Sequence, residues 1–226
     1  MQSPNGSRRR PAGTTRGALH HPIDFVYALA RRGGLLEVTR LMLGPAPRPP
    51  LAPPVSDRYQ YSLPTKDQLQ RLLNSERCPA EIGSPSALAS NCRHVIVASF
   101  EDQVVGFTWV AREHVNAAEN FSRTPKLGTA IKLPETTAFI FNAWVAPQHR
   151  GQSLLASMIV AAASSQLSDI QQWVTTMDWT NLASTAAFKK LGLSEIGVIA
   201  RVAVGNRQWI HAPSAARARG ILCSTA

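Results

Sequence analysis

Apolar and polar positions follow a regular order of strand and helix patterns along most of the chain. β-Branched and aromatic runs at 94–100 and 104–111 flank a three-residue turn, and this arrangement predicts a β-hairpin. The run 137–145 is apolar on both faces, which is typical of a strand in the middle of a sheet. The helical pattern of residues 150–167 connects this run to a further strand pattern at 173–177, which predicts a β-α-β crossover.

The complete pattern predicts the element order β-α-β-β-β-α-β-α-β-β. This order indicates the α/β class, with one mixed sheet. The remaining predicted elements are strands at 59–63, 196–204 and 208–211, a helix that Thr65 caps, and a helix at 181–191.

The N-terminal quarter of the chain differs from the rest in composition. The first 22 residues are rich in Arg, Gly, Pro and Ser and contain no acid, which predicts disorder. Residues 23–43 have apolar positions at helical spacing on both sides of Arg31-Arg32-Gly33-Gly34, which predicts two short amphipathic helices. Six prolines in 44–55 predict a stiff linker. The predicted organisation is an N-terminal extension at 1–56, a folded domain at 57–213 and a C-terminal tail at 214–226.

The net charge of +10 comes mostly from the two ends of the chain. Residues 1–56 carry eight arginines against Asp24 and Glu37, and the last 13 residues add Arg217 and Arg219. A nucleic-acid-binding fold usually concentrates positive charge on its folded face, so nucleic acid is not the expected partner of the central domain. An arginine-rich start is typical of a disordered tail and also of a transit peptide.

Composition limits the class of protein further. A hydrophobic content of 44% supports a buried core, and no apolar run reaches the ~18–20 residues of a membrane-spanning helix. Cys78, Cys92 and Cys223 lie far apart, which excludes a cysteine zinc site or a disulfide framework and indicates a reducing, cytoplasmic location. No metal site is expected, because the His20-His21 pair has no third ligand near it in sequence.

One segment has the pattern of a phosphate-binding turn. The central strand ends at Val145, the chain turns at Pro147, and a helix is predicted to begin at about Arg150. A helix start offers unpaired N–H groups and a positive dipole end, Gly151 allows close approach of the backbone, and Arg150 adds charge. The same pattern also describes an ordinary β-to-α turn. No Lys-Ser/Thr pair follows the glycine, which excludes a nucleoside-triphosphate P-loop.

A second segment follows about thirty residues later, at Thr180–Leu193. Asn181 stands at a predicted helix start, Phe188 follows seven residues later, and Gly192 is placed as a helix C-cap. Taken alone, Asn181 is a typical N-cap and Phe188 is typical of a packed helix face.

Together the two segments resemble the GCN5-related N-acetyltransferase (GNAT) superfamily. Its acetyl-CoA motif is similar to a strand ending in Val, followed by x-Pro-x-x-Arg-Gly-x-Gly-x-Gly/Ala at a helix start. Its downstream motif is similar to Asn-x-x-Ala/Ser-x-x-x-Tyr-x-Lys-x-Gly-Phe. The resemblance covers about residues 57–211 and includes the strand order. The matching positions are Val145, Pro147, Arg150, Gly151, Asn181, Ser184, Phe188, Lys190, Gly192 and Leu193.

The resemblance implies a sheet that splays between the strands at 137–145 and 173–177, with acetyl-CoA as co-substrate in the gap. It implies that the pyrophosphate binds the N–H groups of residues 150–155, and that backbone N–H groups of the splayed strand stabilise the oxyanion. It also implies that Asn181 reaches the pantetheine arm. The implied cofactor-binding residues are Trp144, Val145, Arg150, Gly151, Gln152, Ser153, Asn181 and Phe188.

The chain departs from the family motif at three positions. Ser153 stands where the family usually has Gly, and Leu155 stands where it usually has Gly or Ala. Leu155 either crowds the phosphate site or faces the core. Phe188 replaces the Tyr whose hydroxyl commonly lies near the CoA sulfur as general acid, so the leaving thiolate needs water or another proton donor.

The sequence identifies no catalytic residue. An alkyl amine is mostly protonated at neutral pH, so a base or a water relay must remove its proton. Asp178 and Asn142 are candidate substrate-side groups, although each also suits a structural role. Glu135 is interpreted as a solvated loop residue and His149 as an exposed neighbour of the phosphate loop.

The resulting hypothesis is an acetyl-CoA-dependent N-acetyltransferase that acts on an amine. Two alternatives stay open: a GNAT-fold module without catalysis, and a binder of anionic surfaces that acts through the arginine-rich N-terminus. The loop 112–136 lies where the family shapes its acceptor pocket, but its mixed charge indicates no particular acceptor. The acyl chain length and the oligomeric state, a homodimer included, are likewise left open.

Overall fold

The computed structural model describes residues 30, 33, 36–47, 57–82, 92–121, 124–205 and 207–225. Within these ranges the chain forms an eight-stranded main sheet, a three-stranded small sheet and several short helices. The strands are β1 (Leu36–Pro45), β2 (Gln60–Ser62), β3 (Arg93–Phe100), β4 (Gln103–Arg112), β5 (His114–Val115), β6 (Thr129–Lys132), β7 (Thr137–Val145), β8 (Gln172–Asp178), β9 (Ser194–Val204), β10 (Arg207–His211) and β11 (Leu222–Thr225). The α-helices are α1 (Lys66–Leu73), α2 (Leu154–Ala163), α3 (Leu182–Lys190) and α4 (Ser214–Arg217).

The main sheet has the strand order β10-β9-β1-β8-β7-β4-β3-β2, and the small sheet has the order β11-β6-β5. β7 and β8 run parallel, and helix α2 forms the crossover between them. The other neighbouring pairs of described strands are antiparallel. The mixed sheet confirms the predicted α/β class, and β2 to β10 follow the predicted element order with two short strands, β5 and β6, added.

Strand β1 corrects the prediction for the N-terminal part of the chain. Residues 36–45 were predicted to be helix and the start of a linker, but they form a strand that pairs with β8 and with β9. Leu41 and Met42 are completely buried in it, on opposite faces of the sheet. Two flanking strands satisfy its backbone hydrogen bonds and both faces are covered, so tertiary pairing overrides the local helical pattern. The other predicted helix lies outside the described residues, apart from the helical residue Ala30.

The boundaries of the predicted domain at 57–213 are also too narrow. β1 places residues 36–45 of the predicted 1–56 extension inside the main sheet. In the predicted tail, β11 pairs with β6, and the side chains of Ala216 and Ile221 are buried. The C-terminal residues therefore cover one face of the main sheet.

The middle of the main sheet is covered on both faces. Helices α2 and α3 pack on one face through residues that include Met158 and Phe188. Helix α1, the small sheet and α4 pack on the other, with Leu69, Ile131 and Ala216 among the buried contacts. The strands in the middle of the sheet therefore have apolar side chains on both faces, as the 137–145 pattern predicts.

Two further properties follow from the described residues. None of their helices combines the length and the hydrophobicity needed to cross a bilayer. The thiols of Cys78, Cys92 and Cys223 are free, and each is half-buried.

Candidate functional site

The parallel strands β7 and β8 separate in the middle of the main sheet. They pair over four residues each, and the last pair is Ile140 opposite Thr175. β7 continues to Val145 and β8 to Asp178 without further pairing to each other. The Thr175 hydroxyl donates a 2.9 Å hydrogen bond to the Ile140 carbonyl, which fixes the place where the fork begins. The splayed strand pair expected from the sequence is therefore present.

A β-bulge lies directly beyond the fork. Asn142 and Ala143 of β7 together face the single residue Thr108 of β4. Asn142 takes a left-handed φ of 45°, which non-glycine residues adopt rarely. The Thr108 hydroxyl donates a 3.3 Å hydrogen bond to the Phe141 carbonyl beside the bulge. Bulges redirect strands and side chains near functional sites, and this one turns the end of β7 away from β8.

The loop after β7 differs from the predicted helix start. A 3₁₀ turn, Pro147–His149, comes first, and α2 begins only at Leu154, so the prediction of a helix from about Arg150 is wrong. The reason is the backbone at Gly151 (φ 79°) and Ser153 (φ 57°). Left-handed residues cannot continue a right-handed helix, so the helix starts after the second of them.

Ser153 is the N-cap of α2, and its side chain makes no capping hydrogen bond. Its left-handed backbone explains why glycine is the usual residue at this position of the motif. At Gly151, an added Cβ would meet no other atom within 4 Å, so this residue faces open space. The first N–H groups of α2 have no acceptor within the helix and can bind an anion there.

A cleft of about 720 Å³ lies between this loop, the end of β7 and helix α3. Arg150 is held at its edge, because its Nε donates a 3.0 Å hydrogen bond to the Val145 carbonyl. Leu155 was expected either to crowd the phosphate site or to face the core. Its side chain does both in part, because it lines the cleft and packs against the core. Seven of the eight residues expected to bind the cofactor line this cleft: Trp144, Val145, Arg150, Gly151, Ser153, Asn181 and Phe188.

Gln152, the eighth residue, contacts a buried tyrosine instead. The Tyr59 hydroxyl donates a 2.6 Å hydrogen bond to the Gln152 Oε1 atom and lies 3.1 Å from His149 Nδ1. His149 is only 8% exposed, so its interpretation as an exposed residue is wrong. Tyr59 thus joins two points of the loop to the edge of the main sheet.

We predict that Tyr59→Phe loosens this loop. The substitution removes both hydrogen bonds but keeps the ring contacts with His149 and Phe100, so the protein should lose about 1–3 kcal/mol of stability. Thermal unfolding measures the loss. Tyr61→Phe is the matched control, because the Tyr61 hydroxyl faces Ser157 of α2 rather than the loop. A loss of stability in Tyr61→Phe equal to that in Tyr59→Phe would contradict the role of Tyr59.

A second cavity of about 240 Å³ occupies the fork itself. Asn120 is buried in its wall, where its Oδ1 accepts a 2.6 Å hydrogen bond from the Thr176 hydroxyl and its Nδ2 donates to the Thr129 carbonyl at 3.0 Å. Asn142 and Asp178 also line this cavity. Asp178 is its only ionisable lining residue in the described part of the chain.

The two polar candidates from the sequence thus lie in one cavity, each with a structural contact. Asp178 Oδ1 accepts a 2.9 Å hydrogen bond from the Thr180 N–H in the turn after β8. Asn142 is the left-handed residue of the bulge. Asn181 caps α3, since its Oδ1 accepts a 3.0 Å hydrogen bond from the Ser184 N–H.

Phe188 lies between the two cavities. Its side chain is 4% exposed, belongs to the core and lines both the cleft and the fork cavity. A group at this position contacts whatever passes from one cavity to the other. Its phenyl ring has no proton to donate to a group at this junction.

Sequence reasoning missed Tyr59, Asn120 and Thr176 as residues of the site. Tyr59 is 90 residues from His149 in sequence, and Asn120 is 56 from Thr176, so no local spacing relates them. The irregular loop 112–136 was expected to shape an acceptor pocket, and its residues Asn120 and Phe121 line the fork cavity.

The cysteines do not take part in either cavity. None of the three lines the cleft or the fork cavity as the structure describes them. Burial raises the pKa of the Cys78 and Cys223 thiols, so these groups stay protonated at neutral pH. Among the described residues, neither cavity therefore has a cysteine nucleophile.

The sequence model of the acetyltransferase (GNAT) family matches residues 59–193, which is more than half of the 226 residues. This range contains the fork, the loop and the lining residues of both cavities except Thr39. No curated protein is similar enough to the chain to count as a match.

Several solved structures are distantly similar to the chain. A GNAT-family protein from Novosphingobium aromaticivorans has 11% identity, with 73% of this chain and 62% of that chain covered and a TM-score of 0.44. A conserved protein of unknown function from Staphylococcus epidermidis has 13% identity, coverage of 80% and 66%, and a TM-score of 0.46. A GCN5-related N-acetyltransferase from Kribbella flavida has 10% identity, coverage of 76% and 61%, and a TM-score of 0.43. In each comparison the chain spans less than two thirds of the solved protein.

Proposed function

The chain belongs to the acetyltransferase (GNAT) family, and from this premise we propose that it is an N-acetyltransferase that uses acetyl-CoA and a primary amine. The observation that carries the proposal is the meeting of two cavities at Phe188. The cleft has a phosphate-compatible loop at its edge, and the fork cavity has polar walls and one carboxylate. Direct transfer needs two substrates that meet at one point, and this geometry supports it.

The cleft residues fit acetyl-CoA. Gly151 leaves open space where a side chain would otherwise project, and the N–H groups at the start of α2 can hold the pyrophosphate beside Arg150. Beyond Ile140, β7 has no pairing with β8 in the described residues, so this edge of its backbone near Trp144 and Val145 is open to an extended pantetheine arm, apart from the Val145 carbonyl that accepts from Arg150. When bound, acetyl-CoA supplies an activated acetyl group as a thioester.

The fork cavity suits the amine. An alkyl ammonium is attracted by a carboxylate, and Asp178 is the only ionisable residue among the described residues lining this cavity. Asn120 and Thr176 hold each other in place and present polar atoms to the same space. We assign Asp178 the role of orienting the ammonium group and of accepting its proton, directly or through water. The chain length of the acyl group is not restricted by these residues.

The absence of a reactive thiol near the site agrees with direct transfer to the amine, without an acyl-cysteine step. Free, half-buried cysteines also agree with a cytoplasmic location, which is part of this proposal.

The acceptor is proposed as a small amine, because the fork cavity has only about 240 Å³.

The proposal is tested by release of the CoA thiol and by mass spectrometry of the products, with acetyl-CoA and a panel of small primary amines. We expect acetylation of at least one amine, and loss of most activity in Asp178→Asn. No acetylation of any amine, combined with tight acetyl-CoA binding, would favour a GNAT-fold module without catalysis.

We further predict that Phe188→Tyr raises kcat several-fold. The new hydroxyl lies at the junction of the cavities and can donate a proton to the leaving thiolate, which phenylalanine cannot do. The pH–rate profile should gain an alkaline limb, because a tyrosine has an ordinary pKa of about 10. Phe188→Leu serves as control: it should cost about 1–3 kcal/mol of stability and leave the pH profile unchanged. A tyrosine variant that no longer binds acetyl-CoA would contradict this placement of the ring.

A further inference from the structure

One end of the main sheet carries apolar side chains that no described element covers. On β9 and β10, the two strands at this end of the main sheet, Trp209 is 52% exposed, Val202 is 38% exposed and Val204 is 61% exposed. A cluster of large exposed apolar side chains is uncommon on a protein surface unless something binds there.

These side chains lie on one face. Trp209 pairs directly with Val202, and Val202 pairs on its other side with Leu36 of β1, so the three residues form a row across three strands. Directly opposite residues of antiparallel strands point to the same face, and Val204 follows Val202 by one strand period. We call this group, Leu36, Val202, Val204 and Trp209, the apolar end of the sheet.

The apolar end belongs to the face on which α2 and α3 pack. Leu36 has the same parity along β1 as Met42, which is completely buried in the core that includes both helices. Toward Met42 the face is closed, whereas at Val202 and Trp209 it is open. A further helix beside α3 would therefore cover these exposed side chains.

The chain itself enters the sheet at this point. β1 begins at Leu36, and Leu36 is the residue paired with Val202. The segment directly before it has apolar residues at helical spacing, with Ile23, Val26 and Ala30 on one side and Asp24 and Arg31 on the other.

The lengths agree with a helix that folds back over the sheet. Eight residues, 23–30, span about 12 Å as an α-helix, and three neighbouring strands span about 10 Å. The five residues between Ala30 and Leu36 reach at most about 17–20 Å, which covers the roughly 10 Å between packed layers. They include Gly33 and Gly34, which permit a sharp reversal of the backbone.

We propose that residues 23–30 form an amphipathic helix that docks on the apolar end of the sheet, with Val26 at the centre of its contact. The segment completes the helical layer of the domain, in addition to the acetyltransferase site and independently of it. The N-terminal part of the chain is then part of the folded domain rather than a separate extension.

Hydroxyl-radical footprinting of the full-length chain tests this proposal, with oxidation of Trp209 and Phe121 measured by mass spectrometry. Trp209 is 52% exposed in the structure, and Phe121, 40% exposed at the fork cavity, is the internal reference. If the segment docks, Val26→Asp should raise the oxidation rate of Trp209 several-fold over that in the unmodified chain and leave the oxidation rate of Phe121 unchanged.

Ala28→Asp is the matched control, because it introduces the same residue within 23–30 on the side opposite Val26 and should leave Trp209 protected. Light scattering on the same samples should show a monomer. Equal oxidation rates of Trp209 in the unmodified chain and in Val26→Asp would overturn the proposal. If Trp209 lost its protection when the protein was diluted, and light scattering showed a dimer, the proposal would be overturned. A second copy of the chain would then cover the apolar end of the sheet.

Discussion

Acetyl-CoA at a hundredfold excess over its Kd should raise the Tm of the unmodified chain by several degrees, and Gly151→Val should abolish most of this rise. Ligand that binds only the folded state at this excess stabilises it by about 2.7 kcal/mol. For a chain of this size, each kcal/mol moves Tm by roughly 2–4 °C. Thermal unfolding with and without acetyl-CoA measures both effects.

The geometry at Gly151 explains why this substitution acts on the ligand. A Cβ there meets no protein atom within 4 Å, and the residue lines the cleft, so a valine side chain fills the space where the phosphates are proposed to bind. The left-handed φ of 79° adds backbone strain of about 1–2 kcal/mol for a non-glycine residue, and more for a β-branched one.

Gly205→Val separates strain from binding. Gly205 also has a left-handed φ, 60°, and open space around its Cβ position, but it lies in the turn between β9 and β10 and does not line the cleft. Both variants should lose stability without ligand, whereas only Gly151→Val should lose the acetyl-CoA shift. If acetyl-CoA raised the Tm of both variants equally, this loop would not be part of the binding site. If acetyl-CoA did not raise the Tm of the unmodified chain, the proposed function would be refuted.

The elements that frame the site could be predicted because their patterns are unambiguous. The runs at 94–100, 104–111 and 137–145 contain many β-branched and aromatic residues, and the structure forms β3, β4 and β7 there. The position of a β-α turn after Val145 followed from Pro147 and Gly151. These local signals agree with the tertiary environment, so pattern and fold coincide.

The failures arose where distant contacts decide the local structure. Residues 36–45 are rich in leucine, which suits a helix, yet pairing with β8 and β9 makes them a strand. The predicted start of α2 was wrong because Ser153 has a left-handed backbone, and a serine in the sequence does not predict that conformation. In the site, the Tyr59–His149 and Asn120–Thr176 hydrogen bonds join residues that only the folded sheet brings together.

Removal of residues 1–56 should abolish cooperative folding of the remaining chain. The deletion takes away β1, which lies between β8 and β9 and buries Leu41, Met42 and Leu43. Loss of one such side chain costs about 2–5 kcal/mol, and a domain of this kind has a total stability of about 5–15 kcal/mol. β8 and β9 would also lose the backbone partners that β1 provides. Circular dichroism and thermal unfolding should therefore show no sharp transition.

A chain that begins at residue 30 provides the control, because it lacks most of the N-terminal segment but keeps β1. It should still unfold cooperatively, with a lower Tm. Leu41→Ala in the full-length chain tests the same strand without a deletion and should cost about 2–5 kcal/mol, since Leu41 is completely buried among residues of β7, β8 and β9. Stable, cooperative folding of residues 57–226 would contradict the central place of β1, because the gap between β8 and β9 would then have to close by direct pairing of the two strands.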